Sequence, residues 1–67
     1  MIDVDLKQYY NKKVSVVCGN ERTFNGTVDD FFFADDNESG KESIILKTDS
    51  GDFYEFTEED IEEIKIL

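Results

Sequence analysis

"TFNGTVDDFFFADDN", residues 23–37, decides the fold. Three consecutive phenylalanines, Phe31, Phe32 and Phe33, cannot all face one way on a strand whose side chains alternate. Phe24 and Val28 share one phase, whereas Phe31 and Phe33 share the other. A bulge at Asp29–Asp30 inserts one residue and flips the phase, so that all four turn toward a core. Phe32 is then expected to point outward, toward the covering helix, a second protomer or a ligand. Gly26 lies inside the same segment, where glycine marks a sharp bend or a bulge.

The flanking segments supply partners for this long strand. "MIDVDLKQYYNKK" (1–13) reads as a short α-helix over about residues 3–11, capped by Asp3 or Asp5, with Ile2, Leu6, Tyr9 and Tyr10 at helical spacing. After it the period changes to two. "KVSVVC" (13–18) sets Val14, Val16 and Cys18 on one face, and "GNE" (19–21) is a tight turn in which Gly19 is expected to take a positive φ. Strands are predicted at 13–18, 22–33, 43–48, 52–56 and 61–66, with one helical turn at "TEED" (57–60) capped by Thr57. A sheet this small hides its apolar face by curling on itself. The expectation is therefore a mainly β, single-domain protein: a strongly bent, five-stranded antiparallel SH3-like barrel with an N-terminal helix.

Length and charge limit what such a domain does. Sixty-seven residues bury only roughly 60% of the unfolded surface, so the core is thin and association is a common remedy. The net charge is −10, unevenly spread. Residues 1–28 carry three acids and four bases, a balance of +1, while residues 29–67 carry fourteen acids and three bases, a balance of −11. Affinity for nucleic acid comes largely from Lys and Arg neutralising phosphates, so the field over the second half opposes RNA, DNA and an anionic membrane surface alike. The single cysteine, with no secretory segment or 18-residue apolar run, predicts a reducing cytoplasm.

The chain also resembles a known family. The helix, "KKVSVV" (12–17), "TFNGTV" (23–28), an Asp-rich loop ending in Asn, "SIILKT" (43–48) and "DIEEIKIL" (60–67) follow one another as in the Sm-like family, over nearly the whole chain. Phe24, Gly26, Val28, Phe31, Asp36 and Asn37 stand where that family's first motif places its apolar residues, glycine, Asp and Asn. The second motif departs: an Arg-Gly or Lys-Gly pair that binds RNA is replaced by Glu58, Glu59 and Asp60. The resemblance implies rings in which the fourth strand of one subunit pairs with the fifth of the next, here "DFYEF" (52–56) and "IEEIKIL" (61–67). Phe32, Tyr54, Ile64 and Ile66 are the candidate interface residues, and Glu62 and Glu63 are possible edge protection.

Chemistry-bearing residues are few. With no histidine, the usual neutral-pH base and the commonest transition-metal ligand are missing, and no enzyme activity or cofactor is expected. Cys18 is expected to be a buried structural thiol without a basic partner. Asp35, Asn37, Ser39 and Gly40 match the start of a calcium loop, yet its twelfth position is Leu46, and a solvated polar turn is expected. Lys7, Lys12, Lys13 and Arg22, with Tyr9 and Tyr10, form a basic aromatic patch that suits single-stranded RNA, together with Asp36 and Asn37 of the first motif. The leading expectation is a non-catalytic interaction or assembly module, self-associating through edge strands or binding another protein. RNA binding through the basic N-terminal face is the alternative.

Overall fold

The computed structural model describes residues 5–67. Five strands follow in chain order: β1 (Lys13–Cys18), β2 (Thr23–Phe32), β3 (Ser43–Thr48), β4 (Phe53–Thr57) and β5 (Ile61–Ile66). They form one antiparallel sheet in the order β4-β3-β2-β1-β5. The sheet is not closed by strand pairing: β4 and β5 are its two edges.

The bulge in β2 lies where the phenylalanine pattern requires it. Val28 pairs with Leu46 and Asp30 with Ile45, so Asp29 is the extra residue. This puts Phe31, opposite Ile44, on the same face as Val28. Phe33 does not follow. It leaves the strand with extended dihedrals to precede a 3-10 turn at Ala34–Asp36, and its ring is 51% exposed, edge-on to Phe31 at 5.0 Å. Phe32, expected outward, is half-buried opposite Ser43.

A second bulge, not foreseen in the sequence, shapes β5. Val17 pairs with Glu63 and Cys18 with Ile61, which leaves Glu62 as the extra residue. Ile61 and Ile64 are an odd number of residues apart, and the bulge turns both into the core. The two bulges add local twist to strands on either side of β1, bending the sheet around its apolar face. That face buries Val14, Val16, Val28, Ile44, Leu46, Phe56, Ile61 and Ile64, with Cys18, Phe24 and Phe31 packed against them.

The N-terminal segment is shorter and tighter than an α-helix over 3–11. It is a 3-10 turn, Leu6–Tyr9, capped by Asp5, whose carboxylate accepts from the Lys7 amide at 3.1 Å. Ile2 and Asp3 lie outside the described residues. Leu6 and Tyr9, the two buried side chains, are three apart and so stack on one side of a helix with three residues per turn. Asn11 then adopts a positive φ of 64° and reverses the chain toward β1. The Asn11 amide donates to the Val28 carbonyl and the Val28 amide to the Lys12 carbonyl, at 2.9 and 3.0 Å, pinning the turn beside the β2 bulge.

The turns differ in detail from expectation. In the β1–β2 turn it is Glu21, at φ 66°, and not Gly19 that takes the left-handed conformation. Asn20 supports it by accepting from the Arg22 amide at 3.1 Å. "TEED" is a plain turn in which Asp60 accepts from both the amide and the hydroxyl of Thr57, at 3.0 and 3.2 Å. Thr57 is therefore a donor to the turn and not a helix cap.

Candidate functional site

Each sheet edge leaves core-phase side chains uncovered. On β4, Tyr54 shares its face with buried Phe56 yet is 39% exposed. On β5, Ile66 shares its face with buried Ile64 yet is 57% exposed, and Leu67 follows it into solvent. Ile64 belongs to the core, so of the four candidate interface residues Tyr54 and Ile66 are the accessible ones, while Phe32 is only partly so. Tyr54 joins an aromatic cluster: Phe24 lies 4.9 Å from it and 5.2 Å from Phe56, both pairs tilted. Such pairs contribute about 0.5–1.5 kcal/mol beyond their buried area, so the β4 edge is firmly seated.

Beside this cluster is an open cleft of about 450 Å³. Its floor is Phe24, Phe56 and Cys18, and its walls are the β1–β2 turn, Glu55, Glu59 and Asp60. Glu55 accepts from Ser43 Oγ at 3.0 Å, and Glu59 meets Lys41 at 3.5 Å. Half-burial pushes the Cys18 thiol above its ordinary range, the Asp60 carboxylate pushes it further, and Arg22 pulls the other way. The thiol is therefore held protonated, unlike an activated cysteine. In the sequence Glu58–Asp60 stand only in place of a basic pair; that Glu59 and Asp60 line a cleft with Phe24 and Phe56 depends on how the sheet curls.

The basic residues do not converge on one another. Lys7 stands 5.4 Å from the Phe33 ring, Arg22 is 5.1 Å from Phe24, and Lys13 is 3.4 Å from Asp49 of the β3–β4 turn. Lys12 is exposed, and Tyr9 is in the core with only Tyr10 outside. A second, smaller groove of about 380 Å³ runs between Lys7, Tyr10, Asp30 and Phe31. Asp36 is exposed. Asn37 is committed to the fold: its Nδ2 donates to the Lys41 carbonyl at 2.7 Å and to Ser43 Oγ at 3.0 Å. In the loop tested for calcium, Ser39 Oγ accepts from the Lys41 amide. Among the described residues no three carboxylate or thiol side chains converge to hold a metal ion, and no helix is long and apolar enough to cross a membrane.

No protein-family model and no curated protein matches the sequence. The fold is similar to that of a solved chain from work on the structural basis of Dcp1:Dcp2 mRNA decapping complex activation by Edc3 and Scd6, with a TM-score of 0.67 at 18% identity. The match covers 98% of this chain and 62% of that one. At this identity the likeness is one of fold, and the chain spans under two thirds of its neighbour's length.

Proposed function

We propose that the chain is a small Sm-like barrel acting as a non-catalytic interaction and assembly module in the cytoplasm, joining a second copy or another protein through its edges β4 and β5. The observation that carries this reading is the uncovered core face at both edges. Tyr54 and Ile66 each continue a buried row and each ends in solvent. An edge strand also offers unpaired backbone donors and acceptors, which a partner strand satisfies. The strand order, the two bulges and the turn pinned across β2 fit the Sm-like class, and the solved neighbour comes from work on a protein complex. RNA is the weaker reading. Three of the four candidate cations already rest on Phe33, Phe24 or Asp49, and the chain carries −10 overall.

Light scattering on size-separated protein over a wide concentration range tests this. A discrete oligomer, or a stoichiometric complex with a copurified protein, is expected, and Ile66→Lys or Tyr54→Asp disrupts it while leaving the circular dichroism spectrum unchanged. A wild-type chain that stays monomeric and partnerless at the highest concentration rules the module out.

A further inference from the structure

The cleft over Phe24 and Phe56 has a chemistry that the edge strands do not. The geometry points to it as a docking site for an arginine-bearing, extended segment of a partner protein, with the guanidinium on the aromatic floor and the carboxylates of Glu55 and Glu59 around it. This deepens the interaction-module reading and rests on it.

Shape is the first argument. At about 450 Å³ the cleft exceeds what a bound water or ion fills, and its open mouth admits a chain lying across it. Two of its residues, Glu55 and Phe56, belong to β4, whose outer edge has no partner strand among the described residues. A segment paired along that edge therefore presents alternate side chains to the cleft.

Charge is the second. Glu55, Glu59 and Asp60 line the cleft and, among the described residues, no cation does. The nearest bases are each engaged on one partner, Lys41 on Glu59 and Arg22 on Phe24. The Cys18 thiol at the floor is pushed up first by burial and then by the Asp60 carboxylate, with Arg22 opposing both. Against a background of −10, a cationic side chain is the complementary guest, and phosphate is repelled.

The third argument is an internal precedent. Arg22 already stands 5.1 Å from the Phe24 ring centroid, so the chain itself pairs this aromatic with a guanidinium. A planar, weakly hydrated guanidinium stacks on a ring and hydrogen-bonds in its plane to carboxylates, which a lysine ammonium does not do together.

The test uses the whole chain and three fluorescein-labelled hexapeptides that alternate Val with Arg, Lys or Glu. The Arg peptide is expected to bind, the Lys peptide several-fold more weakly, and the Glu peptide not at all. Amide shifts in the Arg complex are expected at Cys18–Asn20, Phe24 and Glu55–Phe56. The double variant Glu55→Gln/Glu59→Gln keeps an acceptor for Ser43 and is expected to weaken binding about tenfold, as the loss of two exposed ion pairs allows. Arg22→Gln removes one of the two neighbouring positive charges and is expected to tighten it. Equal affinity for all three peptides, an unchanged double variant, shifts confined to β5, or no binding at millimolar Arg peptide in low salt each overturns the site. Light scattering on the same samples separates the two readings. Edge association without a peptide response sinks the cleft alone, and peptide binding by a chain that never associates sinks the self-assembly arm alone.

Discussion

Gly26 lies against the backbone of Lys47 so closely that a Cβ at position 26 would overlap the Lys47 carbonyl oxygen, 2.8 Å from its carbonyl carbon and 2.9 Å from Thr48 Cα. The position is buried between Val14 on one neighbouring strand and Thr48 on the other. Backbone atoms on a paired strand cannot swing aside as a flexible side chain would. Gly26→Ala is therefore expected to cost about 3 kcal/mol or more, at the upper end of overpacking substitutions. A domain of this size has only roughly 3–10 kcal/mol in total, so denaturant titration should find the variant largely unfolded or nearly so. A loss below about 1 kcal/mol, the scale of an ordinary surface change, contradicts the close approach.

The β2 bulge gives a prediction about length and not identity. Asp29 is exposed and unpaired, so Asp29→Ala is expected to change stability by no more than about 0.5 kcal/mol. Deleting Asp29 removes only the extra residue and keeps every partner: Val28 opposite Leu46, Asp30 opposite Ile45 and Phe31 opposite Ile44. Phe31 therefore stays on the Val28 face, and the deletion variant should still unfold cooperatively, read as a retained sigmoidal thermal transition. Loss of that transition would show that the extra residue itself, and not the pairing on either side of it, is what the fold requires.

How much of this was legible in the sequence follows from the reach of each signal. The β2 bulge was visible because two apolar rows in one segment had opposite parity. The β5 bulge was not, because "IEEIKIL" offered a plausible alternation of Ile64 and Ile66 and masked the pairing of Ile61 with Ile64 on one face. The N-terminal stripe has α-helical spacing, yet the buried pair Leu6 and Tyr9 fits a 3-10 turn equally well, and the bonds from the Gln8 amide to the Asp5 carbonyl and from the Tyr10 amide to the Lys7 carbonyl, each spanning three residues, decide between them. The edges were legible as strands. The cleft was not, since Cys18, Phe24, Glu55 and Glu59 meet only through the curl of the sheet.

Leu6 tests whether the N-terminal turn is part of the core or an appendage. Its side chain is fully buried, whereas Tyr10, four residues later, is exposed. Leu6→Ala is expected to cost about 2–4 kcal/mol, within the range for leucine truncation in a packed core. Tyr10→Ala should cost little. Thermal melts settle it, since each kcal/mol lowers Tm by roughly 4–8 °C in a domain of this size. Similar melting temperatures for the two variants place the turn outside the cooperative unit.

Ser43 is fully buried and links two elements: it accepts from Asn37 Nδ2 and donates to Glu55 Oε2, both at 3.0 Å. Ser43→Ala frees the 34–42 loop from β4 at one point and leaves the half-buried Asn37 amide with one acceptor fewer. The expected cost is about 1–3 kcal/mol, the penalty for a partner withdrawn from a buried hydrogen bond. Amide exchange should quicken at Asn37–Lys41 more than in β1 or β2. Unchanged exchange in the loop means that Asn37 is held by the Lys41 carbonyl alone.

Cys18 carries the pH prediction. Burial is the largest influence raising its pKa, the Asp60 carboxylate adds to it, and Arg22 opposes both. Alkylation by iodoacetamide, which requires the thiolate, should therefore turn on at higher pH in the folded chain than in the urea-unfolded one. Asp60→Asn moves the profile down in pH and Arg22→Gln moves it up. The same linkage fixes the sign for stability: the folded state holds the proton more tightly. The contribution of Cys18 is thus fully present below the unfolded thiol's pKa and disappears as pH rises through the folded one. Cys18→Ala is expected to flatten the alkaline loss of stability, and a profile for the folded thiol that lies at or below the unfolded one reverses the electrostatic account of the cleft.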